Sequence, residues 1–133
     1  MSEIDEDPIP TGTLALQTLA MPADTNSSGD IFGGWLMSQM DLAGAILAQD
    51  YAEGRVVTVA VGGMTFLRPV PVGATVSCYA QALETGRSSI RTLVEVWIRS
   101  PSSKEVVKVT EGEFVYVAID DNGRTRPLKK HID

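Results

Sequence analysis

The sequence predicts an α+β protein in which an antiparallel sheet packs on one long helix. In the stretch 29–52, the residues from Trp35 onward are good helix formers without proline, which predicts the helix. After residue 54 the chain is rich in β-branched residues, and its apolar segments are joined by links short enough for hairpins. No second stretch has the pattern of a comparable helix, which argues against a repeated βαβ architecture.

The composition of the 133 residues is that of one globular domain, with 44% hydrophobic and 21% charged residues. A net charge of −6 argues against a nucleic-acid-binding protein, although it allows a local basic site for one phosphorylated small molecule. No apolar run is long enough to span a bilayer. The single cysteine and an N-terminus without a signal-peptide pattern lead us to expect a cytoplasmic protein.

We divide the chain into one domain with two short extensions. Residues 1–12 hold four acids and two prolines and are expected to form a flexible acidic arm. Residues 13–127 form the predicted domain, and residues 128–133 form a basic tail. The only histidine, His131, lies in this tail, where we expect it to be functionally silent.

Two segments precede the helix. Residues 13–20 are apolar and of strand length, but their pattern leaves the type of structure open. Residues 22–29 combine Pro, Asp, Asn, Ser and Gly, which are typical of a loop. This loop leads into the helix, and both Ser28 and Asp30 are plausible N-caps.

Within the helix, Leu36, Met40, Ala43 and Leu47 recur at the spacing of an apolar stripe. Asp41 lies in the middle of this segment. The residues three, four and seven positions from it share its face of the helix and are Gly34, Met37, Ser38, Gly44, Ala45 and Ala48. Five of these six are small, and each glycine costs roughly 1 kcal/mol relative to alanine. The glycines therefore suggest that this face accommodates another group.

The rest of the chain is predicted to form strands. Residues 55–61 are β-branched; a Gly-Gly pair interrupts them, and residues 64–67 resume the strand character before two prolines. Residues 74–83 are predicted as a further strand. Residues 89–99 alternate most clearly and predict a half-buried strand, with Ile90, Thr92, Val94, Val96 and Ile98 on one face and Arg91, Glu95 and Arg99 on the other.

Short links join the last strands. Residues 85–87 suit a hairpin, and residues 101–103 form a second turn. Residues 104–119 are predicted as the final strand, with a bulge near Gly112 where the alternation slips phase, and residues 120–123 end it. One helix covers only part of such a sheet, so we expect the chain to self-associate through its sheet or helix surface.

Elimination narrows the chemistry to carboxylates. With His131 as the sole histidine, a serine or cysteine nucleophile activated by histidine is not expected, and Cys78 in mid-strand is interpreted as a core residue. No His, Cys or acidic residues have the spacing of a metal site, and the phosphate-binding loop and dinucleotide-binding motifs are missing. Trp35 and Trp97 are interpreted as core or interface residues.

Asp41 is the leading candidate for a catalytic group. Most helical aspartates are surface residues, but Asp41 is a poor helix former between Met40 and Leu42, so a partly desolvated base or nucleophile is the competing interpretation. Gly33-Gly34 opens the helix, either as a flexible entry or as a pair of unpaired N–H groups for developing negative charge. An oxyanion site near a carboxylate is an acyl-transfer arrangement.

Three arginines are candidates for binding an anion, namely Arg68, Arg87 and Arg91. The turn at residues 86–89 adds two hydroxyls and loop N–H groups to the guanidinium of Arg87. Isolated surface arginines commonly bind nothing, so the arginines alone are a weak signal.

Four segments carry a resemblance to a known family: MPADTNSSGDIFGGWLMSQMDLAGAILA, RVVTVAVGGMTFLRPVPVG, GRSSI and VEVW. From about Leu14 to Pro127 the chain resembles a bacterial acyl-CoA thioesterase of the hot-dog superfamily, and GDIFGGW followed by MSQMD is the most diagnostic part. The resemblance implies a sheet wrapped around one long helix, side-by-side dimers that commonly assemble into a trimer of dimers, and active sites at the dimer interface. Thioester hydrolysis needs no metal or redox cofactor.

The resemblance also implies roles for individual residues. Asp41 would be the catalytic carboxylate, and the N–H of Gly34 would polarise the thioester carbonyl. The residues that would shape the site, with contributions across the interface, are Asn26, Asp30, Gly33 and Thr65. The residues that would meet the phosphates of coenzyme A are Arg68 and the turn formed by Arg87, Ser88 and Ser89.

Two alternatives stay open at this level. Asp41 could act as a general base on water, or it could attack the carbonyl to form a mixed anhydride. The chain could also be a non-catalytic acyl-CoA-binding or regulatory module, although the presence of Asp41 argues against it. A hydroxyacyl dehydratase of the same superfamily would need a histidine in the helix region, which this chain lacks.

Overall fold

Five strands form one antiparallel sheet, and a 20-residue helix packs on it in the computed structural model, which describes residues 9–132. In chain order the elements are β1 (Thr13–Leu19), a 3-10 turn (Pro22–Asp24), α1 (Gly33–Ala52), β2 (Val56–Val61), β3 (Thr75–Thr85), β4 (Ser89–Arg99) and β5 (Val106–Ala118). The strand order is β1-β3-β4-β5-β2, so β1 and β2 are the edges. The predicted α+β fold is confirmed. The first eight residues of the predicted acidic arm, and Asp133 of the basic tail, lie outside the described residues.

The apolar stripe of α1 is buried as predicted. Leu36, Met40 and Ala43 are buried, and Leu47 packs partly buried against them. The large buried side chains of the sheet in the same core are Ile90, Val94, Val96, Phe114 and Tyr116. The helix and one face of the sheet therefore share a single core. Among the helices of residues 9–132, none is both long and apolar enough to cross a membrane.

The start of α1 corrects the predicted N-cap. Neither Ser28 nor Asp30 caps the helix; Phe32 is the N-cap, with extended backbone and no side-chain hydrogen bond. The helix starts later because Ile31 is buried and pairs with Thr25 in a β-bridge, which carries the chain past Asp30 in an extended form. The first N–H groups of α1 are therefore left without a side-chain acceptor.

Of two segments of strand length, one forms a strand in the structure and the other does not. Residues 13–20, left open by their pattern, supply the edge strand β1, which pairs with β3. Residues 64–67, predicted as a strand, form an extended connection instead. Leu67 N–H donates to the carbonyl of Val109 at 2.8 Å, and Thr110 Oγ1 donates to the carbonyl of Thr65 at 2.8 Å. Residues 64–67 lie beside the part of β5 that β2 does not cover, because the β2 pairing ends at Phe114, and they face the bulge at Val109, where no regular ladder forms.

The bulge in β5 lies at Val109, three residues before the predicted position at Gly112. Thr110 pairs with Val96 and Lys108 pairs with Trp97, so Val109 is the extra residue. Gly112 stays in register opposite Val94. A methyl group at Gly112 would come 2.7 Å from the Cε of Met64. The glycine therefore makes space for a neighbouring side chain, which the phase of the alternation could not distinguish from a bulge.

The face of β4 that points away from α1 is more buried than its alternation predicts. Glu95 is 3% exposed, because Lys108 and a residue before β1 cover it. Thr11 donates to the Glu95 carboxylate from its N–H at 3.1 Å and from Oγ1 at 2.6 Å. Lys108 Nζ lies 3.4 Å from the same carboxylate, and Trp97 Nε1 donates to it at 2.9 Å. The local pattern missed this cover because Thr11 is 84 positions away in the chain.

Candidate active site

Asp41 lies at the middle of α1, half-buried, with one carboxylate oxygen held by the sheet. Thr58 Oγ1 of β2 donates to Oδ1 at 2.7 Å, and the hydroxyl of Tyr116 of β5 lies 3.0 Å from the same oxygen. The Tyr116 hydroxyl also lies 2.8 Å from the backbone carbonyl of Asp41. Within residues 9–132 nothing donates to Oδ2. One oxygen is thus fixed in position, and the other is available to water or a substrate.

Gly44 provides the space for the Tyr116 hydroxyl. A methyl group at Gly44 would collide with that hydroxyl oxygen and would lie 2.9 Å from Cε2 of the ring. Tyr116 is fully buried, and its pKa is raised, first by burial and then by the negative charge of Asp41. The hydroxyl therefore stays protonated at neutral pH and remains a hydrogen-bond donor. Part of the small-residue face that the sequence shows around Asp41 thus exists to admit this tyrosine.

Tyr116 and Thr58 contact the candidate carboxylate, and sequence reasoning missed both. A tyrosine in the buried half of a strand usually needs a partner for its hydroxyl, which is the only signal that Tyr116 offers. Thr58 offers none. Their placement depends on the pairing of β2 with β5, where Thr58 is the register partner of Tyr116.

The helix start presents unpaired donors, as predicted. The N–H groups of Gly33 and Gly34 belong to the first turn, and no acceptor within the described chain engages them. A methyl group at Gly33 would lie 3.3 Å from the ring of Phe66, and one at Gly34 would lie 3.3 Å from the ring of Phe32. The two glycines therefore let the rings of Phe66 and Phe32 lie close to the first turn, whose N–H groups form the positive end of the helix dipole.

An open groove of about 410 Å³ adjoins this helix start. Gly33, Leu36, Phe66 and Arg68 are among its lining residues. The structure thus brings Arg68, a predicted phosphate-binding residue, to the same groove as Gly33. The groove combines apolar walls with one cation.

The other predicted site residues do not contact Asp41 within one chain. The Asn26 side chain shapes the loop before α1, because its Oδ1 accepts hydrogen bonds from the N–H groups of Ser28 at 2.9 Å and Asp30 at 3.2 Å. Asp30 is exposed in this loop, and the side chain of Thr65 is exposed on the connection to β3.

The turn that carries Arg87, Ser88 and Ser89 closes the β3–β4 hairpin. It lies at the C-terminal end of α1, because Leu128 N–H donates to the Arg87 carbonyl at 2.9 Å and the next N–H donates to Tyr51. This is the end opposite to Gly33, so the turn and the groove of Arg68 are separate within one chain.

Arg91 is engaged by carboxylates rather than available to an anion. Its Nη1 lies 2.7 Å from Glu113, and its Nη2 lies 3.8 Å from Glu84. The hydrogen bond that Arg91 donates to Glu113 is the main cause of the raised pKa of this guanidinium. The sequence-based suggestion that Arg91 binds an anion is therefore not supported.

Cys78 is a core thiol, as predicted. It is fully buried in β3, and burial raises the pKa of its thiol to about 12. We expect a thiol reagent near pH 8 to leave the native protein unlabelled and to label one thiol per chain after unfolding. Rapid labelling of the native protein would contradict this burial. No group of three His, Cys, Asp or Glu residues suited to a metal ion occurs between residues 9 and 132.

The sequence is similar to those of known proteins. A family model described as the thioesterase superfamily matches residues 28–104. The acyl-CoA thioester hydrolase YciA of Salmonella typhimurium is 58% identical over 125 residues, which cover 92% of this chain and 94% of YciA.

Two solved structures are also similar to this chain in both sequence and fold. The hexameric thioesterase y2039 from Yersinia pestis is 58% identical, with a TM-score of 0.87 over 90% of this chain and 98% of that one. HI0827, a hexameric broad specificity acyl-coenzyme A thioesterase, is 54% identical, with a TM-score of 0.88 over 92% of this chain and 85% of that one.

Proposed function

The chain belongs to the thioesterase superfamily, and from this premise we propose that it hydrolyses acyl-CoA thioesters to a free carboxylate and coenzyme A. The observation that carries the proposal is the Asp41 carboxylate, with Oδ1 fixed by Thr58 and Tyr116 and with Oδ2 open. A carboxylate fixed in this way can accept a proton from water or attack a carbonyl carbon. The unpaired N–H groups of Gly33 and Gly34 are suited to the oxyanion that forms in either case.

The spacing of these groups supports a site shared by two copies of the chain. Gly34 and Asp41 lie on one face of α1 but are two turns apart, about 10 Å along the axis. A single thioester carbonyl cannot contact both. If two helices pack antiparallel about a two-fold axis near Ser38, Asp41 of one copy faces Gly34 of the other. Such isologous pairing is the commonest symmetry of protein oligomers.

Exposed apolar side chains lie on both α1, which carries Asp41, and β2, which carries Thr58, and would form this interface. They are Met37, Leu42 and Ile46 on α1 and Val57, Val59 and Val61 on the edge strand β2, all more than one-third exposed. Exposed apolar patches of this kind mark interaction sites. The relatives y2039 and HI0827 are hexameric, and we propose a hexamer built from such dimers for this chain as well.

Substitution of Val59 by lysine is expected to break the dimer, because it places a charge on the edge of β2. We expect size-exclusion chromatography with light scattering to give a smaller assembly than the wild type, whose hexamer would have six times the 14.3 kDa of one chain. Thiol release should fall roughly tenfold or more if the site is shared. Val72→Lys, on a turn outside this surface, is the matched control. A Val59→Lys protein with wild-type mass and activity would contradict the proposed interface.

Thioester hydrolysis can follow either of two mechanisms. As a base, Asp41 takes a proton from water while the hydroxide attacks the carbonyl carbon; the tetrahedral oxyanion then collapses and expels the thiolate of coenzyme A, which takes the proton from Asp41 and restores its carboxylate. As a nucleophile, Asp41 forms a mixed anhydride, expels the thiolate, and is regenerated by water. In the second course a single turnover in heavy-oxygen water carries the label into Asp41 when water attacks the Asp41 carbonyl of the anhydride. Mass spectrometry of the peptide that contains Asp41 tests this.

The function itself is tested by thiol release from a panel of short to long acyl-CoA thioesters. Turnover of any member supports the proposal, and the panel defines the acyl preference. Binding of coenzyme A without thiol release would favour the non-catalytic acyl-CoA-binding module instead.

The proposed chemistry uses Asp41, water and backbone N–H groups and calls for no cofactor. The single cysteine, Cys78, supports the cytoplasmic location that we propose.

A further inference from the structure

The residues after Pro127 follow the surface of the β3–β4 turn. Leu128, which is 4% exposed, donates its N–H to the carbonyl of Arg87 at 2.9 Å. Four residues later, Ile132 N–H donates to Thr85 Oγ1 at 3.2 Å. The segment 128–132 is therefore attached to the turn at both ends. The exposed side chains of Lys129 and Lys130 lie between the two attachments.

The C-terminal end of α1 holds the same segment from the other side. The N–H groups of Lys129 and Lys130 both donate to the carbonyl of Tyr51, at 2.9 Å. Arg126 donates from Nη1 to the carbonyl of Ala52 at 2.8 Å and from Nε to the carbonyl of Ile119 at 3.2 Å. A cation and two N–H groups thus meet the negative end of the helix dipole. These backbone contacts position the two lysines and leave their ammonium groups unused.

The result is a local concentration of positive charge on an acidic protein. The chain has a net charge of −6, yet Arg87, Lys129 and Lys130 are exposed together, and no ion pair within residues 9–132 engages them. Ser88 and Ser89 add hydroxyl groups beside Arg87.

Acidic groups near the segment lie mainly on its other flank. Glu53, Asp120 and Asp121 line a groove with Arg55, Arg126 and Lys129. The Asp120 carboxylate is occupied by the N–H groups of Asn122 and Arg124, at 2.8 and 3.0 Å. On the turn itself, Glu84 lies 3.8 Å from Arg91. The face between Arg87 and Lys130 therefore has the least compensating charge.

We propose that Lys129 and Lys130 extend the Arg87 turn into a binding site for the phosphates of coenzyme A. Lysine and arginine side chains are the usual partners of phosphate groups. The location suits this ligand: the N–H groups of Lys129 and Lys130 donate to Tyr51, ten residues after Asp41 on α1, which places the segment about 15 Å along the helix axis from the carboxylate. In coenzyme A the pantetheine arm likewise separates the thiol from the phosphates. The inference rests on the proposed function, because it names the binding groups of the same substrate.

The test compares coenzyme A with pantetheine, which has the same thiol arm and no phosphate. Titration calorimetry is carried out on the wild type, on Lys129→Gln/Lys130→Gln, and on Arg99→Gln/Lys104→Gln. The last variant removes the same two charges at the far end of β4 and in the turn after it. We expect the tail variant to bind coenzyme A about tenfold more weakly with a shallower salt dependence, while pantetheine binding and the control variant stay unchanged. Lys129→Arg/Lys130→Arg should restore the affinity.

The outcomes separate this inference from the proposed function. Wild-type affinity in the tail variant overturns the inference, as does an equal loss in the control variant, which would be an effect of net charge. An equal loss for pantetheine also overturns it, because that ligand has no phosphate. If one of these three results is obtained and the wild type still hydrolyses acyl-CoA, the inference about the lysines is wrong and the proposed function is unaffected. A wild type that neither binds coenzyme A nor hydrolyses its esters overturns both.

Discussion

Replacement of Asp41 by asparagine is expected to reduce thiol release from acyl-CoA by a factor of about a hundred or more. Asparagine has nearly the same size, and its carbonyl oxygen can still accept the hydrogen bonds from Thr58 and Tyr116. The fold should therefore survive while the base or nucleophile is lost. The measurement is kcat and KM for one good acyl-CoA substrate, with the thermal midpoint recorded for both proteins.

Asp50→Asn is the matched control, because Asp50 is an exposed aspartate on the same helix. It should leave both kcat and the thermal midpoint within error of the wild type. Equal kcat values for wild type and Asp41→Asn would mean that the carboxylate is structural, and the mechanism proposed above would be wrong. If activity and thermal midpoint fall together in both variants, lost stability explains the lower activity, and a chemical role for Asp41 is not supported.

Replacement of Gly44 by alanine is expected to lower both stability and activity, although Gly44 is not proposed to contact the substrate. The added methyl group collides with the Tyr116 hydroxyl, so either the ring or the helix must move. Overpacking of this kind lowers the free energy of unfolding by about 1–3 kcal/mol. It also withdraws a donor from Oδ1 of Asp41, and we expect kcat to fall roughly tenfold. Denaturant unfolding and steady-state kinetics measure the two effects.

A second substitution separates steric from electrostatic causes. Tyr116→Phe removes the hydroxyl that collides, so Gly44→Ala should cost less stability in that background than in the wild type. Activity should not recover, because Asp41 Oδ1 then keeps only Thr58 as a donor. If the cost of Gly44→Ala is the same in both backgrounds, the hydroxyl is not what the glycine accommodates. Such non-additivity is the expected signature of residues in contact.

The local elements of the fold could be predicted because their causes lie within a few residues. The stripe of Leu36, Met40 and Ala43 depends on helical spacing alone, and these residues are buried as expected. The strand at residues 89–99 depends on alternation, and β4 has the same bounds. The unusual position of Asp41 among small residues could also be recognised from the helix sequence. The sequence did not indicate which side chain those small residues accommodate.

Errors arose where a local pattern has two physical causes. Gly112 interrupts the alternation of β5, and a bulge and a close side-chain contact both predict a glycine; the contact with Met64 is the one that the structure contains. Ser28 and Asp30 have the chemistry of N-caps, but burial of Ile31 moved the helix start beyond them. Residues 64–67 have strand composition, but they face the bulge of β5 at Val109, where no regular ladder forms. In each case a distant element decided between equal local options.

The candidate site divides in the same way. The residue types that the chemistry needs, a carboxylate at 41 and glycines at the helix start, could be read from the order of residues along one helix. The donors that hold Asp41 come from Thr58 and Tyr116, 17 and 75 positions away, and only the register of β2 on β5 brings them together. Helical periodicity is a property of neighbouring residues, whereas strand register depends on the packing of the whole sheet. For this reason the chain order was enough to propose the reactive group, and the tertiary structure alone decided what orients it.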